Sequence, residues 1–123
     1  MNHRSTLLTG ATVAALGVAL GAFGAHGLAE LLARNGRIET FNLAVEYQFY
    51  HAFALLVTGL LLRVGEARSF RYAAVCFTAG ITIFSGSLYL LSITNERMLG
   101  AITPIGGLLF IAGWVFFFAG VWK

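Results

Sequence analysis

The chain has 123 residues, 59% of them hydrophobic and 11% charged, against roughly a quarter charged in ordinary soluble domains. That length leaves room for one compact unit, residues 1–123, and no second soluble domain, and a mean hydropathy of +0.83 places it among integral membrane proteins. The net charge of +3 comes from scattered arginines and Lys123 with no basic face, so nucleic acid is not an expected partner and the lipid bilayer is.

In chain order, the first uncharged run covers residues 5–26. Hydrocarbon about 30 Å thick is crossed at 1.5 Å per residue, so a run of this length reads as a membrane helix. The charged start "MNHR" resembles the head of a signal peptide, but the apolar run exceeds the usual h-region of about 7–15 residues, and a retained helix is expected. Ala14, Gly17, Gly21 and Ala25 form a stripe of small residues along it, which predicts a close-packing face.

Residues 27–42, "GLAELLARNGRIETFN", are too polar to span. Leu28, Leu31 and Leu32 share one helical face, and Glu30 and Arg34 stand four apart. This predicts a short interfacial helix between the first two spans, broken near Asn35-Gly36. The second span is expected at residues 43–63, the third at 70–94 and the fourth at 101–122. Open strands are excluded, because every backbone group in lipid must be bonded internally. The fold class is therefore an all-α membrane protein, a four-transmembrane-helix bundle.

Gly106, Gly113 and Gly120 recur every seven residues on the fourth span and predict a second smooth seam; Gly80 and Gly86 extend the theme on the third. "FFF" at residues 116–118 reads as a lipid-facing cluster. Cys76 lies inside an apolar run with no second cysteine in the chain and reads as a buried, inert thiol. Lysine and arginine counts set orientation. Arg4, Arg63, Arg68, Arg71 and Lys123 fall on one side, against Arg34, Arg37 and Arg97 on the other. Both ends of the chain are thus expected in the cytoplasm, in the inner membrane, with Trp122 as an interfacial anchor.

Helical rise converts sequence distance into depth. His51 lies 12 residues before Arg63, about 18 Å into the membrane, and Glu46 about 25 Å. Ser85 and Ser87, counted from Arg71, stand about 21–24 Å up, Pro104 about 28 Å and His26 about 33 Å. Four segments, "GAFGAHG", "EYQFYH", "FSGSLY" and "TPIGG", thereby meet in one polar layer in the half of the membrane away from the chain ends. Its candidate residues, for binding or for structure, are His26, Glu46, Tyr47, Gln48, His51, Ser85, Ser87, Tyr89, Thr103 and Pro104. Tyr47 and His51 share a face, as do Glu46 and Tyr50, whereas Glu46 points away from Gln48. Ionisable groups inside a membrane are by default functional candidates facing the protein interior.

The simplest account of the layer is structural. Thr103 reads as an N-cap with Pro104 in the first turn of the fourth span. Residues 98–103 then enter the membrane as extended or re-entrant backbone, for which Gln48, Ser85 or Ser87 supply hydrogen bonds. No catalytic set is complete: Ser85 and Ser87 have a histidine in reach but no orienting third group, since Glu46 lies on another face. A metal or haem site would rest on His26, His51 and Glu46, with no HxxxH or CxxC pair and the two histidines at different depths, and no cofactor is identified. No ionisable residue continues a proton path beyond Glu46, Tyr47 and His51 toward the cytoplasm. The reading is a non-enzymatic accessory or scaffold subunit, or one that holds a lipid-like ligand, in a larger membrane complex or homo-oligomer. A redox protein using His26 and His51, and a transporter completed by oligomerisation, are the alternatives.

"GAFGAHGL", "YQFYHAFAL", "FSGSLY", "TPIGG" and the "GW" at Gly113-Trp114, in this order and spacing, resemble the YgdD-like family of small inner-membrane proteins. That family carries the domain of unknown function numbered 423, with mitochondrial relatives called transmembrane protein 256. The chain departs from the family in having Phe41 where a tryptophan is frequent. The resemblance implies a four-helix inner-membrane protein and no catalytic mechanism.

Overall fold

A computed structural model describes residues 1–65 and 67–123, and among these every regular element is helical. Helix α1 (His3–Ala25) starts at a capping box, with the Asn2 side chain accepting from the Ser5 amide at 2.8 Å and the Ser5 hydroxyl accepting from the Asn2 amide at 3.0 Å. The short α2 (Ala29–Asn35) ends where Gly36 turns left-handed at φ 67°, a conformation glycine adopts without a Cβ penalty. Next come α3 (Ile38–Val64) and α4 (Arg68–Thr94), a 3₁₀ turn at Arg97–Ala101, and α5 (Thr103–Trp122). Four helical segments of 23 to 27 residues are long and apolar enough to cross a membrane: His3–Ala25, Ile38–Val64, Arg68–Thr94 and Arg97–Trp122. The expected four spans and short intervening helix are present.

Three local expectations change. Residues 38–42, assigned to the interfacial segment, already belong to α3, because the left-handed Gly36 ends α2 and Glu39 sits in the first turn of the next helix, where the helix dipole favours an acid. Residues 98–103 are not extended: the turn bonds itself, with Leu99 N–H to Glu96 O and Ile102 N–H to Leu99 O, both 3.1 Å. Thr103 is the first residue of α5 and not its cap, which is Ile102; Pro104 does occupy the first turn.

Neighbouring spans pack in chain order, α1 on α3, α3 on α4 and α4 on α5. The inner pair is the more enclosed: 44% of the residues in the most apolar stretch of α3 and of α4 are buried, against 11% for α1 and 17% for the 3₁₀ turn and α5 together. Leu55 of α3, Ala73, Ala74, Phe77 and Ile81 of α4 and Phe110 of α5 form the core. Both outer helices dock through glycines into which the inner helices push large side chains. On α5, an added Cβ would collide with the Phe84 backbone at Gly106 and stand 2.7 Å from the Phe77 ring at Gly113 and from the Phe70 ring at Gly120. Gly80 of α4 returns the pattern by receiving Phe110. On α1 the equivalent glycines are Gly10, Gly17 and Gly24, against Leu56, Phe49 and Phe41.

The α1 stripe is thus shifted from the expected one. Gly17 belongs to it, Gly21 meets only the Val45 methyl at 3.6 Å, Ala14 is half-buried, and Ala25 is exposed. Gly86 has nothing within 4 Å of an added Cβ and is no packing glycine. Of the three consecutive phenylalanines, Phe118 is exposed, whereas Phe116 lies against Tyr72 and Phe117 against Phe70 and Trp114. Cys76 is partly exposed. The far end of α4 is tied to α2 by Asn35, whose amide donates to the Ser92 carbonyl at 3.0 Å and the Ile93 carbonyl at 3.1 Å, and Arg37 Nε donates to Asn95 Oδ1 at 2.9 Å. Carbonyls left unpaired at a helix C-terminus need such partners.

Candidate functional site

Gln48 sits in mid-α3 with 4% of its surface exposed. Its Nε2 donates to the Val13 carbonyl at 2.8 Å and its Oε1 accepts from the Tyr89 hydroxyl. Val13 stands one turn before Gly17, so no side chain covers its carbonyl and a second bond to it is open. One amide thereby joins α1, α3 and α4. The Ser85 hydroxyl donates to the Ala44 carbonyl at 2.8 Å, which fastens α4 to α3 a second time. Ser87 and Thr103 share a hydrogen bond of 2.6 Å and connect α4 to the start of α5. These bonds run to helical carbonyls and side chains; of the 98–103 segment only Thr103 is reached, by Ser87, and the 3₁₀ turn before it bonds itself.

His51 lies one helical turn beyond Tyr47 and is buried. Its Nδ1 is 2.8 Å from the Tyr47 carbonyl, its Nε2 is 3.1 Å from Trp114 Nε1, and its ring lies 3.5 Å from Phe110 at an interplanar angle of 7°. An indole N–H only donates. Nε2 is therefore the acceptor, and Nδ1 carries the proton and donates to Tyr47: the histidine is held neutral in one tautomer. Both ring nitrogens are engaged inside the protein. Among the described residues, no buried side-chain nitrogen or oxygen lacks a hydrogen-bond partner.

Two expected members fall outside this layer. His26 is an exposed residue at the end of α1, and Glu46 is exposed on a face of α3 away from Gln48. Among the described residues, no three His, Cys, Asp or Glu side chains gather as they would around a metal ion. Two residues that complete the His51 environment, Trp114 and Phe110, were not among the candidates. The signal was present for Trp114: it stands nine residues before Lys123, about 13 Å into the membrane. Tryptophans concentrate at the interface, and an indole N–H at membrane depth needs an acceptor within the protein.

Beside His51 the protein opens a groove of about 820 Å³ between α3 and α5. Tyr47, Tyr50 and His51 form one wall, Gly107, Ile111 and Trp114 the other, and Phe84 and Phe110 the floor; Pro104 lies at its upper rim. Tyr47 stacks on Phe84 at 4.7 Å. A smaller space of about 250 Å³, which shares Tyr50 and Trp114, continues it toward Val57 and Phe117. Volume, aromatic lining and a few polar tips are the ordinary attributes of a small-molecule site.

The family model described as "Protein of unknown function (DUF423)" matches residues 20–107. The UPF0382 membrane protein SH2409 of Staphylococcus haemolyticus is 41% identical over 117 residues, covering 95% of this chain and 94% of its own. The UPF0382 membrane protein YwdK of Bacillus subtilis is 44% identical over 110 residues, 89% of each chain. The UPF0382 inner membrane protein YgdD of Escherichia coli K12 is 35% identical over 122 residues, 98% of this chain and 91% of its own. No solved structure matches.

Proposed function

We propose that this chain, which belongs to the DUF423 family, is a non-enzymatic protein of the inner membrane that holds a lipid-like amphiphile in the groove between α3 and α5. The observation that supports the reading is the groove itself, open along one side, elongated and walled by aromatic rings. The polar groups around it favour holding over chemistry. His51 spends one nitrogen on Tyr47 and the other on Trp114, so its ring stiffens the wall and offers no free base. In this reading the protein serves as an accessory subunit of a larger membrane assembly or homo-oligomer, with the bound chain filling its open side. Both chain ends face the cytoplasm, supported by the five cations Arg4, Arg63, Arg68, Arg71 and Lys123 against Arg34, Arg37 and Arg97.

The test is native mass spectrometry of the protein extracted in mild detergent, beside a Gly107→Leu variant. An added Cβ at Gly107 meets Phe84 at 4.0 Å, an ordinary contact, so a larger side chain there fills the groove without forcing the helices apart. The parent is expected to retain an amphiphile that the variant loses. Equal retention by both, or a Soret band or stoichiometric metal in the parent, overturns the reading.

A further inference from the structure

Glu46 is a charged group that the groove leaves unexplained. It lies on α3, a helix that crosses the membrane, 17 residues before Arg63, about 25 Å from that end. It is exposed, and among the described residues nothing forms an ion pair or hydrogen bond with it. The cations at this end of the fold are Arg34, Arg37 and Arg97; Arg37 is turned to Asn95. A carboxylate near hydrocarbon costs free energy unless it is paired or wet, and such groups mark functional positions.

Its position is tied to the groove by one residue. Tyr50 stands a single turn from Glu46 on the same face of α3 and also lines the groove wall. A ligand whose chain lies in the groove and whose head leaves it past Tyr50 comes to Glu46, one turn beyond the lining residues. From Pro104 to Trp114 the α5 wall covers eleven residues, ten helical steps or about 15 Å, running from the Pro104 end into the apolar depth. The lining itself is aromatic and apolar apart from the polar tips of Tyr47, Tyr50 and His51, and Glu46 stands one helical turn beyond it. The complementary molecule is a single chain or pair of chains carrying a cationic head with N–H donors.

We infer that the groove is selective for amphiphiles with a primary ammonium headgroup, of which phosphatidylethanolamine is the bilayer form, and that Glu46 accepts the ammonium. This rests on the groove reading above and adds to it the headgroup chemistry. A quaternary ammonium has no N–H to donate, and an anionic head is repelled.

The chain has two tryptophans, of which Trp122 is 80% exposed and Trp114 lines the groove. A Trp122→Phe background leaves Trp114 as the reporter. The full-length protein is placed in nanodiscs with acyl-brominated phosphatidylethanolamine or phosphatidylcholine of identical chains, and Trp114 quenching is followed against probe mole fraction. Phosphatidylethanolamine is expected to reach half-quenching at about one third of the phosphatidylcholine fraction, the size of effect a single partly solvated ion pair supplies. Glu46→Gln is expected to bring the two curves together, and Gly107→Leu to flatten both to contact with bulk lipid. Curves that coincide in the parent but still flatten in Gly107→Leu overturn the headgroup inference and leave the groove standing. If Gly107→Leu changes neither curve, the groove reading fails and takes this inference with it. A Glu46→Gln variant that converts a dimer to a monomer in detergent while the lipid ratio stays put also overturns it, and assigns the carboxylate to a second copy's cation. Unchanged far-UV circular dichroism keeps each variant interpretable.

Discussion

The two outer helices, α1 and α5, solve one problem with different materials. Lipid supplies no hydrophobic drive for helices to associate, so each must approach its neighbour closely enough for dispersion to hold it. Both do so with glycines every seven residues, Gly10, Gly17 and Gly24 on α1 and Gly106, Gly113 and Gly120 on α5. On α5 the partners are the rings of Phe70 and Phe77 and, at Gly106, the backbone of Phe84. On α1 the nearest partners are side chains, Leu56 at 3.0 Å, Phe49 at 2.9 Å and the Phe41 ring, with the Ala52 carbonyl at 3.1 Å from Gly10 close behind. Each seam also carries a hydrogen bond: Gln48 reaches the Val13 carbonyl on α1, and Ser87 pairs with Thr103 at the start of α5. The difference lies in the hardest contact: Gly106 closes on main-chain atoms of Phe84, whereas each of the three α1 glycines meets a side chain first.

The strongest way to break this contrast is Gly106→Val. A Cβ there meets Phe84 main-chain atoms that cannot swing aside, so α5 must lift off α4. Overpacking of this kind costs about 1–3 kcal/mol or more, and the largest fall in melting temperature of the set is expected in mild detergent. Gln48→Leu comes next. It strands the Tyr89 hydroxyl and removes the bond to α1, for a loss of about 1 kcal/mol, between the full cost of an unmet buried group and the smaller averages measured in membranes. Cross-linking between cysteines placed at Leu7 and Gly59 should then weaken while α4–α5 cross-linking is unchanged; weakening at both seams would refute the separate bonding of the two seams.

Gly17→Ala tests the flexible side of the comparison. The nearest atom is the Phe49 ring tip, which can shift, so the expected destabilisation is below about 1 kcal/mol, less than for the same change at Gly106. His51→Phe removes the acceptor from Trp114. In the Trp122→Phe background the indole emission should move to shorter wavelength, with a small loss of melting temperature; an unmoved spectrum would contradict the hydrogen bond. Last, Gly86→Ala faces open space and replaces a flexible helical residue, so a gain of about 0.5–1 kcal/mol is expected.

Much of the architecture was legible because it follows from periodicity and solvent. Twenty-residue uncharged runs can cross lipid only as helices, and the α5 heptad of glycines pointed to its seam. Residues 38–42 look interfacial because polarity ends the apolar run before them, whereas the helix itself continues through them into the interface. The α1 stripe was misread for a related reason: small residues recur on more than one face of that helix, and the choice of Gly10 and Gly24 over Ala14 and Ala25 belongs to the large side chains of α3. The depth count puts the segments that carry Gln48, Ser85, Ser87 and Tyr89 in the same half of the membrane but leaves their partners open, since two of the acceptors are the Val13 and Ala44 carbonyls. Backbone carbonyls carry no sequence label.

By itself the sequence determined the membrane class, the four spans, the short helix between the first two, and a polar level rich in Tyr, Gln, His and Ser. Those properties are local, set by hydrogen-bond satisfaction in lipid and by helical rise. The tertiary structure alone decided that His51 is a satisfied, neutral side chain stacked on Phe110 and bonded to Trp114, and that Glu46 is left facing outward. It also decided that α3 and α5 stand apart over α4 with a groove between them. Each of these depends on how helices distant in the chain are rotated against one another, and side-chain shape at the seams sets that rotation.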